Sequence, residues 1–298
     1  MRIKKKLKFD STFKKALGGR CVAIGLLSLL GLAAANAQVA FETVWIPMKD
    51  VGSFGEKNIK LEATLYKPPG TGQFPIVLFN HGSSGGPIPA SYTETSKAFG
   101  AYLLGKGIAL IVPMRRGRGK SEGDNLEEPS PCTLDAAKEG LKHAFASVDA
   151  TFDYLRQQPW VAMDKVVLAG HSRGGILAVE YAARNPGASI GVINFSGGWK
   201  NDNCGPTDLN LDLFREAGAI SKVPNLFLYG RGDAFYSDDS MKNYSESFKV
   251  CGGDVESKLF DVEKINGHQL FHRALSLWSG SVALFLERLK MSSTLKSD

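Results

Sequence analysis

The amino-acid sequence predicts an α/β fold: a mostly parallel eight-stranded sheet with an N-terminal antiparallel hairpin and helices on both faces. Three observations predict it. Short continuous apolar runs, FPIVLFN (Phe74 to Asn80), IALIVP and KVVLAG, have the composition of strands buried on both faces. Longer segments between them carry apolar residues at steps of three and four, the period of a helix with one buried face. The two kinds alternate along the chain, and a parallel sheet is what strands joined by helical crossovers form.

The first residues stand apart from this pattern. Met1 to Arg20 holds Arg2, Lys4, Lys5, Lys6, Lys8, Lys14, Lys15 and Arg20 against the single acid Asp10. The apolar run VAIGLLSLLGLAAA (Val22 to Ala35) follows, and Ala35-Asn36-Ala37 has the A-x-A form of a cleavage site. Basic, then apolar, then small, residues 1–37 read as a secretory signal peptide cut after Ala37, which places the protein in the periplasm or outside the cell. The run is shorter than the ~20 apolar residues a spanning helix needs, so no stable membrane anchor is expected. A single domain is expected over residues 38–290, with 291–298, MSSTLKSD, as a polar tail.

Within the domain, FETVWIPMK and NIKLEATLYKP read as two strands joined by the turn DVGSFGE. After FPIVLFN, Tyr92 to Leu104 reads as a helix stopped by Gly105, and it leads into IALIVP. Thr133 can cap a long helix whose Leu141, Phe145, Val148, Phe152 and Leu155 form a core stripe, and Pro159 ends it. KVVLAG follows, then a helix over Arg173 to Arg184, the strand ASIGVINFS and a helix over Leu209 to Ala217. PNLFLYG, a helix over Asp238 to Val250, VESKLFDV and a last helix over Phe271 to Leu289 complete the alternation.

Composition narrows the function classes. Eight of the 36 basic residues and one of the 30 acids lie in residues 1–37, so the 261 residues left from 298 hold 28 bases and 29 acids. The +6 of the whole chain becomes −1, and the electrostatic case for a nucleic-acid partner goes with the leader. The loop MRRGRGKSEG contains GKS, but Met114 stands where G-x-x-x-x-G-K-[ST] needs its first glycine, and acidic, proline-bearing sequence follows instead of a helix. The loop is no phosphate cradle, and no cofactor is expected. Three cysteines remain beyond the leader, none in C-x-x-C or beside paired histidines, which argues against zinc and for one bridge plus one free thiol.

The chemistry concentrates in KVVLAGHSRGG, Lys165 to Gly175. It contains G-x-S-x-G between a buried strand and an amphipathic helix, the context in which a sharp turn presents a serine hydroxyl at the carboxyl edge of a sheet. Ser172 is the expected nucleophile. A serine needs a base, and the base an orienting acid. Of the five histidines, His143 lies in the long helix, His171 is adjacent to the serine and points away, and His81 opens a glycine loop. His268, behind Gly267 in the loop after the last strand, is placed to be the base; His272, one turn on, packs or caps the final helix. The i, i+4 pair lacks the glutamate of H-E-x-x-H, so metal is not expected. Asp233 follows the strand PNLFLYG and is the expected orienting acid, with Asp238 and Asp239 at the start of the next helix. Oxyanion donors are expected from the backbone N–H of Arg173 and of Ser83, the latter in HGSSGGP, where Gly82 lets the backbone approach a ligand.

Taken in order, HGSSGG, RRGRGKSEG, FDYLRQQPWV, GHSRGG, YGRGD and GHQLF resemble the α/β-hydrolase superfamily in its dienelactone-hydrolase and prolyl-oligopeptidase-like branch. The resemblance covers nearly all of the chain beyond the leader and implies the triad order Ser172, Asp233, His268. Two departures are plain: dienelactone hydrolase has a cysteine where this chain has Ser172, and the length leaves no room for a propeller domain. What it implies is an exported serine hydrolase cleaving a carboxylic ester of a small substrate through an acyl-enzyme. A peptidase or amidase on short peptides is the alternative enzyme, and a non-catalytic binding protein on the same fold the alternative class. In such a sheet Cys132 and Cys204 both lie at the active-site edge and Cys251 opposite, so a Cys132–Cys204 bridge is expected. Arg115, Arg116 and Arg118 wall the pocket; either one of them meets a substrate carboxylate, or Glu122, Asp124, Glu127 and Glu128 neutralise them within the loop.

Overall fold

The computed structural model describes residues 40–52, 55–83, 88–128, 132–199 and 209–291. The chain divides into a unit over Met1–Gln38 and one over Val39–Asp298. The expected leader, Cys204 and residues 292–298 lie outside the described residues.

Eight strands form one sheet: β1 (Glu42–Gly52), β2 (Gly55–Tyr66), β3 (Phe74–Asn80), β4 (Ala109–Pro113), β5 (Val161–His171), β6 (Gly191–Phe195), β7 (Asn225–Gly230) and β8 (Val255–Phe260). Their order is β1-β2-β4-β3-β5-β6-β7-β8. β1 pairs antiparallel with β2, and β2 with β4; every other pair is parallel. The order matters for chemistry. It seats β3 directly against β5, with Asn80 opposite Gly170, so the loops leaving those two strands emerge side by side.

The helices are α1 (Lys97–Leu104), α2 (Leu134–Arg156), α3 (Arg173–Arg184), α4 (Asn210–Ile220), α5 (Asp238–Val250), α6 (Leu270–Arg273) and α7 (Leu275–Arg288). Successive side chains of a strand point to opposite faces, and this splits the interior in two. Ile76, Leu78 and Leu168 join Leu141, Val148, Phe152, Ile176 and Phe214 on one face. Val77, Phe79 and Val167 join Phe99, Leu103, Trp278, Val282 and Phe285 on the other. Thr133 caps α2 as expected, its side chain accepting the N–H of Ala136 at 3.2 Å. Among the described residues no helix is long and apolar enough to cross a membrane.

Three expectations need correction. The helix expected from Tyr92 starts at Lys97, because Oε1 of Glu94 accepts both the N–H of Ser96 (2.7 Å) and its hydroxyl (3.0 Å). Such local side-chain bonds hold the backbone outside the helix; Ser96 sits at φ 45°. The last helix is broken at Ala274 (φ −132°), and indole Nε1 of Trp278 donates to the carbonyls of Leu270 and Phe271 at 3.2 and 3.3 Å. Met291, expected to begin a polar tail, is fully buried in the second core. Cys251 is a half-buried free thiol.

Candidate active site

The turn from β5 into α3 carries Ser172 at φ 57° and ψ −126°. A non-glycine residue held in this sparsely populated region stores on the order of 1–3 kcal/mol, which the surroundings must supply. They do so through close backbone packing. A Cβ added at Gly174 would stand 2.0 Å from the carbonyl oxygen of Asn80, and one at Gly170 2.0 Å from that of Gly174. Glycine at both flanks lets α3 press against the sheet, and the serine takes the strain. Its N–H donates to the Phe195 carbonyl at 2.9 Å, and its own carbonyl accepts the N–H of Gly175 at 2.8 Å.

Asp233 and His268 come together from loops 35 residues apart. Nδ1–H of His268 donates to Oδ2 of Asp233 at 2.8 Å, and Oδ1 of Asp233 accepts the backbone N–H of Phe235 (2.7 Å) and Tyr236 (3.2 Å). The Asp233 side chain is 0 % exposed and that of His268 11 %. The loops can meet because Gly230 and Gly267 have no side chains: a Cβ at Gly267 would lie 2.2 Å from the Gly230 oxygen. Asn266 ties them further, its Oδ1 accepting from the N–H of Ala234 and of His268, both at 3.0 Å. Asn266 escaped the sequence reading, although an asparagine two residues before a turn position is itself a turn signal. His268 sits on a single 3₁₀ turn, Gly267–Gln269, rather than in an open loop.

His171 links this pair to the serine. Its Nε2–H donates to the carbonyl of His268 at 2.8 Å, and burial, with His268 and His272 nearby, holds its pKa far below the usual imidazole value. It is a neutral strut from the turn that bears Ser172 to the His268 segment. Among the described residues Ser172 Oγ forms no hydrogen bond with His268, whose Nδ1 is engaged by Asp233 and whose Nε2 is left open.

The loop after β3 covers the serine from the other side. A Cβ on Gly82 would lie 3.2 Å from Cβ of Ser172 and 3.4 Å from Nδ1 of His171. Gly82 and Ser83 line a cavity of about 220 Å³, together with Ile88, Tyr92, Glu94 and His272. Residues 84–87 of the same loop lie outside the described residues. Arg173, the other expected oxyanion donor, is the first residue of α3. Tyr92 and Glu94 were not singled out by sequence, since nothing local distinguishes them from an ordinary helix start.

The arginines take a different place from a substrate contact. Arg115 and Arg118 are fully buried and Arg116 is 9 % exposed. Arg115 grips Glu127 through Nε (2.6 Å) and Nη2 (3.1 Å), while its Nη1 donates to the His81 carbonyl at 2.7 Å. Arg118 reaches the same carboxylate at 2.9 Å. Arg116 pairs with Asp50 and donates from Nε to His143 at 2.8 Å. Arg173 pairs with Glu128 and lies 4.8 Å over the Trp199 ring. Burial alone would raise the Glu127 carboxyl, but the charges of Arg115, Arg118 and Arg173 outweigh it and hold the group far below the usual carboxylate range. Of the two accounts of this loop, neutralisation fits, with Glu127, Glu128 and Asp50 as the partners. Glu122 instead accepts the backbone N–H of Lys60 at 2.8 Å, and among the described residues Asp124 pairs with none of these arginines.

The cluster also holds the loop after β3. Nε2 of His81 accepts the backbone N–H of Arg115 at 3.1 Å, so its Nδ1 carries the proton and donates to the Gly82 carbonyl at 2.6 Å. Burial first, then the charges of Arg115 and Arg118, keep that imidazole neutral.

Residues 76–279 match a family described as the alpha/beta hydrolase family. Among solved structures, Est1E of Butyrivibrio proteoclasticus with ferulic acid bound aligns with a TM-score of 0.59 at 18% identity, over 83% of this chain and 99% of its own. Acetyl xylan esterase of Paenibacillus sp. R4 aligns at 0.59 and 14% identity, over 84% and 89%. The acylaminoacyl peptidase of Pyrococcus horikoshii aligns at 0.60 and 16% identity over 87% of this chain, which spans only 43% of that enzyme.

Proposed function

Since the chain belongs to the alpha/beta hydrolase family, we propose that it is an exported serine hydrolase that cleaves a carboxylic ester of a small substrate. Ser172 is the nucleophile, His268 the base and Asp233 the orienting acid. The observation that carries this reading is the 2.8 Å bond from His268 Nδ1–H to the fully buried side chain of Asp233, held by His171 against the turn that bears Ser172.

That bond fixes the tautomer in which Nε2 of His268 is a free lone pair, the form a general base requires. Ser172 Oγ attacks the ester carbonyl carbon and its proton passes to Nε2. The backbone N–H groups of Ser83 and Arg173 receive the oxyanion. Collapse of the tetrahedral adduct breaks the C–O bond, and the leaving alkoxide takes the proton from Nε2. Water, deprotonated by the same nitrogen, then attacks the acyl-serine, releasing the acid and restoring Ser172. Asp233 stabilises the imidazolium that forms twice in the cycle.

The similarity to an acetyl xylan esterase and to Est1E supports ester cleavage. The short peptide is the second substrate class, favoured by the similarity to an acylaminoacyl peptidase. The loop sequences HGSSGG and RRGRGKSEG favour the dienelactone-hydrolase and prolyl-oligopeptidase-like branch. Export rests on residues 1–37, and the start of the second unit at Val39 supports it. A bridge from Cys132 to Cys204 is proposed with it, Cys251 being free. A fluorophosphonate probe should label the protein at Ser172, and Ser172→Ala should fold, escape labelling and lose several orders of magnitude in kcat. A chain that is not labelled and hydrolyses neither esters nor aminoacyl amides would be a binding protein on this fold.

A further inference from the structure

The cavity beside the serine is small and carries one sign of charge. Its volume, about 220 Å³, falls below the ~300–1,000 Å³ usual for sites enclosing a drug-sized ligand, so it suits a short acyl chain. Its wall combines Gly82 and Ser83 at the nucleophile turn, apolar Ile88 and Pro89, and the carboxylate of Glu94.

Glu94 is 8 % exposed. Its carboxylate accepts three hydrogen bonds, from the N–H and hydroxyl of Ser96 and from the hydroxyl of Tyr92 at 2.6 Å. All three donors are neutral, and a carboxylate has about four acceptor sites, so one site and the whole negative charge are left. Glu94 forms no ion pair among the described residues. The buried arginines Arg115, Arg118 and Arg173 are committed to Glu127 and Glu128. His272 lines the same cavity; desolvation of its ring lowers its pKa more than the Glu94 charge raises it, so at neutral pH it supplies no positive charge. Lys97 and Arg273 line the adjoining cavity of about 500 Å³, which shares Tyr92, Glu94 and His272, but both are exposed, where water screens them.

An uncompensated carboxylate with an open acceptor site in a confined pocket favours a cation that can donate to it, and repels a second carboxylate. We propose that Glu94 determines acyl specificity, and that the preferred substrate is an ester whose short acyl chain ends in a protonated amine. This rests on the hydrolase reading above. It also reverses the preference for acidic esters that a substrate-facing arginine would have produced.

Three methyl esters of similar size test it at neutral pH: β-alanine methyl ester (cationic), methyl butyrate (neutral) and monomethyl succinate (anionic). Wild-type kcat/KM should rank them in that order. In Glu94→Gln the ratio of β-alanine to butyrate ester should fall about tenfold or more, the size of a hydrogen bond to a charged group, and the ratio of succinate to butyrate ester should rise. A merely structural role for Glu94 would lower all three rates together and leave the ratios alone; unchanged ratios in a folded Glu94→Gln therefore overturn the proposal. If the variant does not fold, the wild-type ranking decides, and a butyrate or succinate ester preferred over the β-alanine ester overturns it. Wild-type hydrolysis of none of the three would sink the hydrolase reading and this proposal with it, whereas butyrate cleavage with flat ratios sinks the proposal alone.

Discussion

Glu127 shows how one side chain can serve a site without touching substrate. It is 1 % exposed and balances the buried guanidiniums of Arg115 and Arg118, and Arg115 in turn holds both the His81 carbonyl and, through its backbone, the His81 ring. Removing one partner from a buried ion cluster leaves uncompensated charge in a medium that solvates it poorly. Glu127→Gln should therefore cost about 3–5 kcal/mol in denaturant unfolding. Because the His81–Gly82–Ser83 segment hangs on the cluster, kcat of the folded variant should also fall. A variant that unfolds at the wild-type denaturant midpoint would show the cluster to be worth little. The carboxyl's depressed pKa places its contribution above the ordinary value of 4.5, to be lost as pH falls through the folded value.

At the scale of elements, α3 follows directly on Ser172, the proposed nucleophile, and carries a buried acid in its body. Glu180 is 0 % exposed and paired with Arg184 at 2.8 Å, but burial outweighs that partner and pushes its pKa up to about 7 from an ordinary 4.5. Between those two pH values the folded protein holds a proton that the unfolded chain has released, so stability falls as pH rises through the window. The loss should be on the order of 3 kcal/mol or less, since one pKa unit is worth about 1.4 kcal/mol. Glu180→Gln cannot ionise, so thermal unfolding temperatures measured across this window should decline less steeply than in the wild type. Parallel pH profiles for the two proteins would contradict the assignment. The elements that departed from their sequence patterns are α1 and the pair α6–α7. In both, apolar periodicity runs on, and a side chain bonding to backbone marks the actual boundary: Glu94 to Ser96 where α1 starts, Trp278 to Leu270 and Phe271 where α6 ends.

For the whole molecule, the sheet order brings the loops after β3, β5 and β7 to one edge, and the 3₁₀ turn bearing His268 packs against the end of β7. The proposed export and bridge belong to this scale. N-terminal sequencing of the secreted or periplasmic protein should begin at Gln38, and a protein that retains Met1 would contradict export. Peptide mapping under non-reducing conditions should link Cys132 to Cys204 and find Cys251 open to alkylation. A bridge closing that loop of about 70 residues would stabilise by roughly 2–4 kcal/mol, so reductant should lower the unfolding temperature; Cys251 in the linked peptide would refute the pairing.

The sequence by itself determined the alternation of strands and helices, the number of strands, and the order of Ser172, Asp233 and His268 along the chain. These are legible because local periodicity and turn chemistry write each of them into a few neighbouring residues: GHSRGG needs its glycines wherever the turn lies, and Thr133 caps α2 through its own next turn. Only the tertiary structure decided which partner each charge would meet. Arg115, Arg116 and Arg118 are consecutive cations in sequence, yet Glu127 takes two of them and Asp50, 66 residues away, takes the third. Glu94, in a stretch that reads as an ordinary helix, forms no ion pair among the described residues and lines a cavity beside the serine. Charge pairing acts through space and costs most when burial forbids water from repairing a mismatch. No local pattern records that choice, and it depends on which loops the sheet order sets side by side.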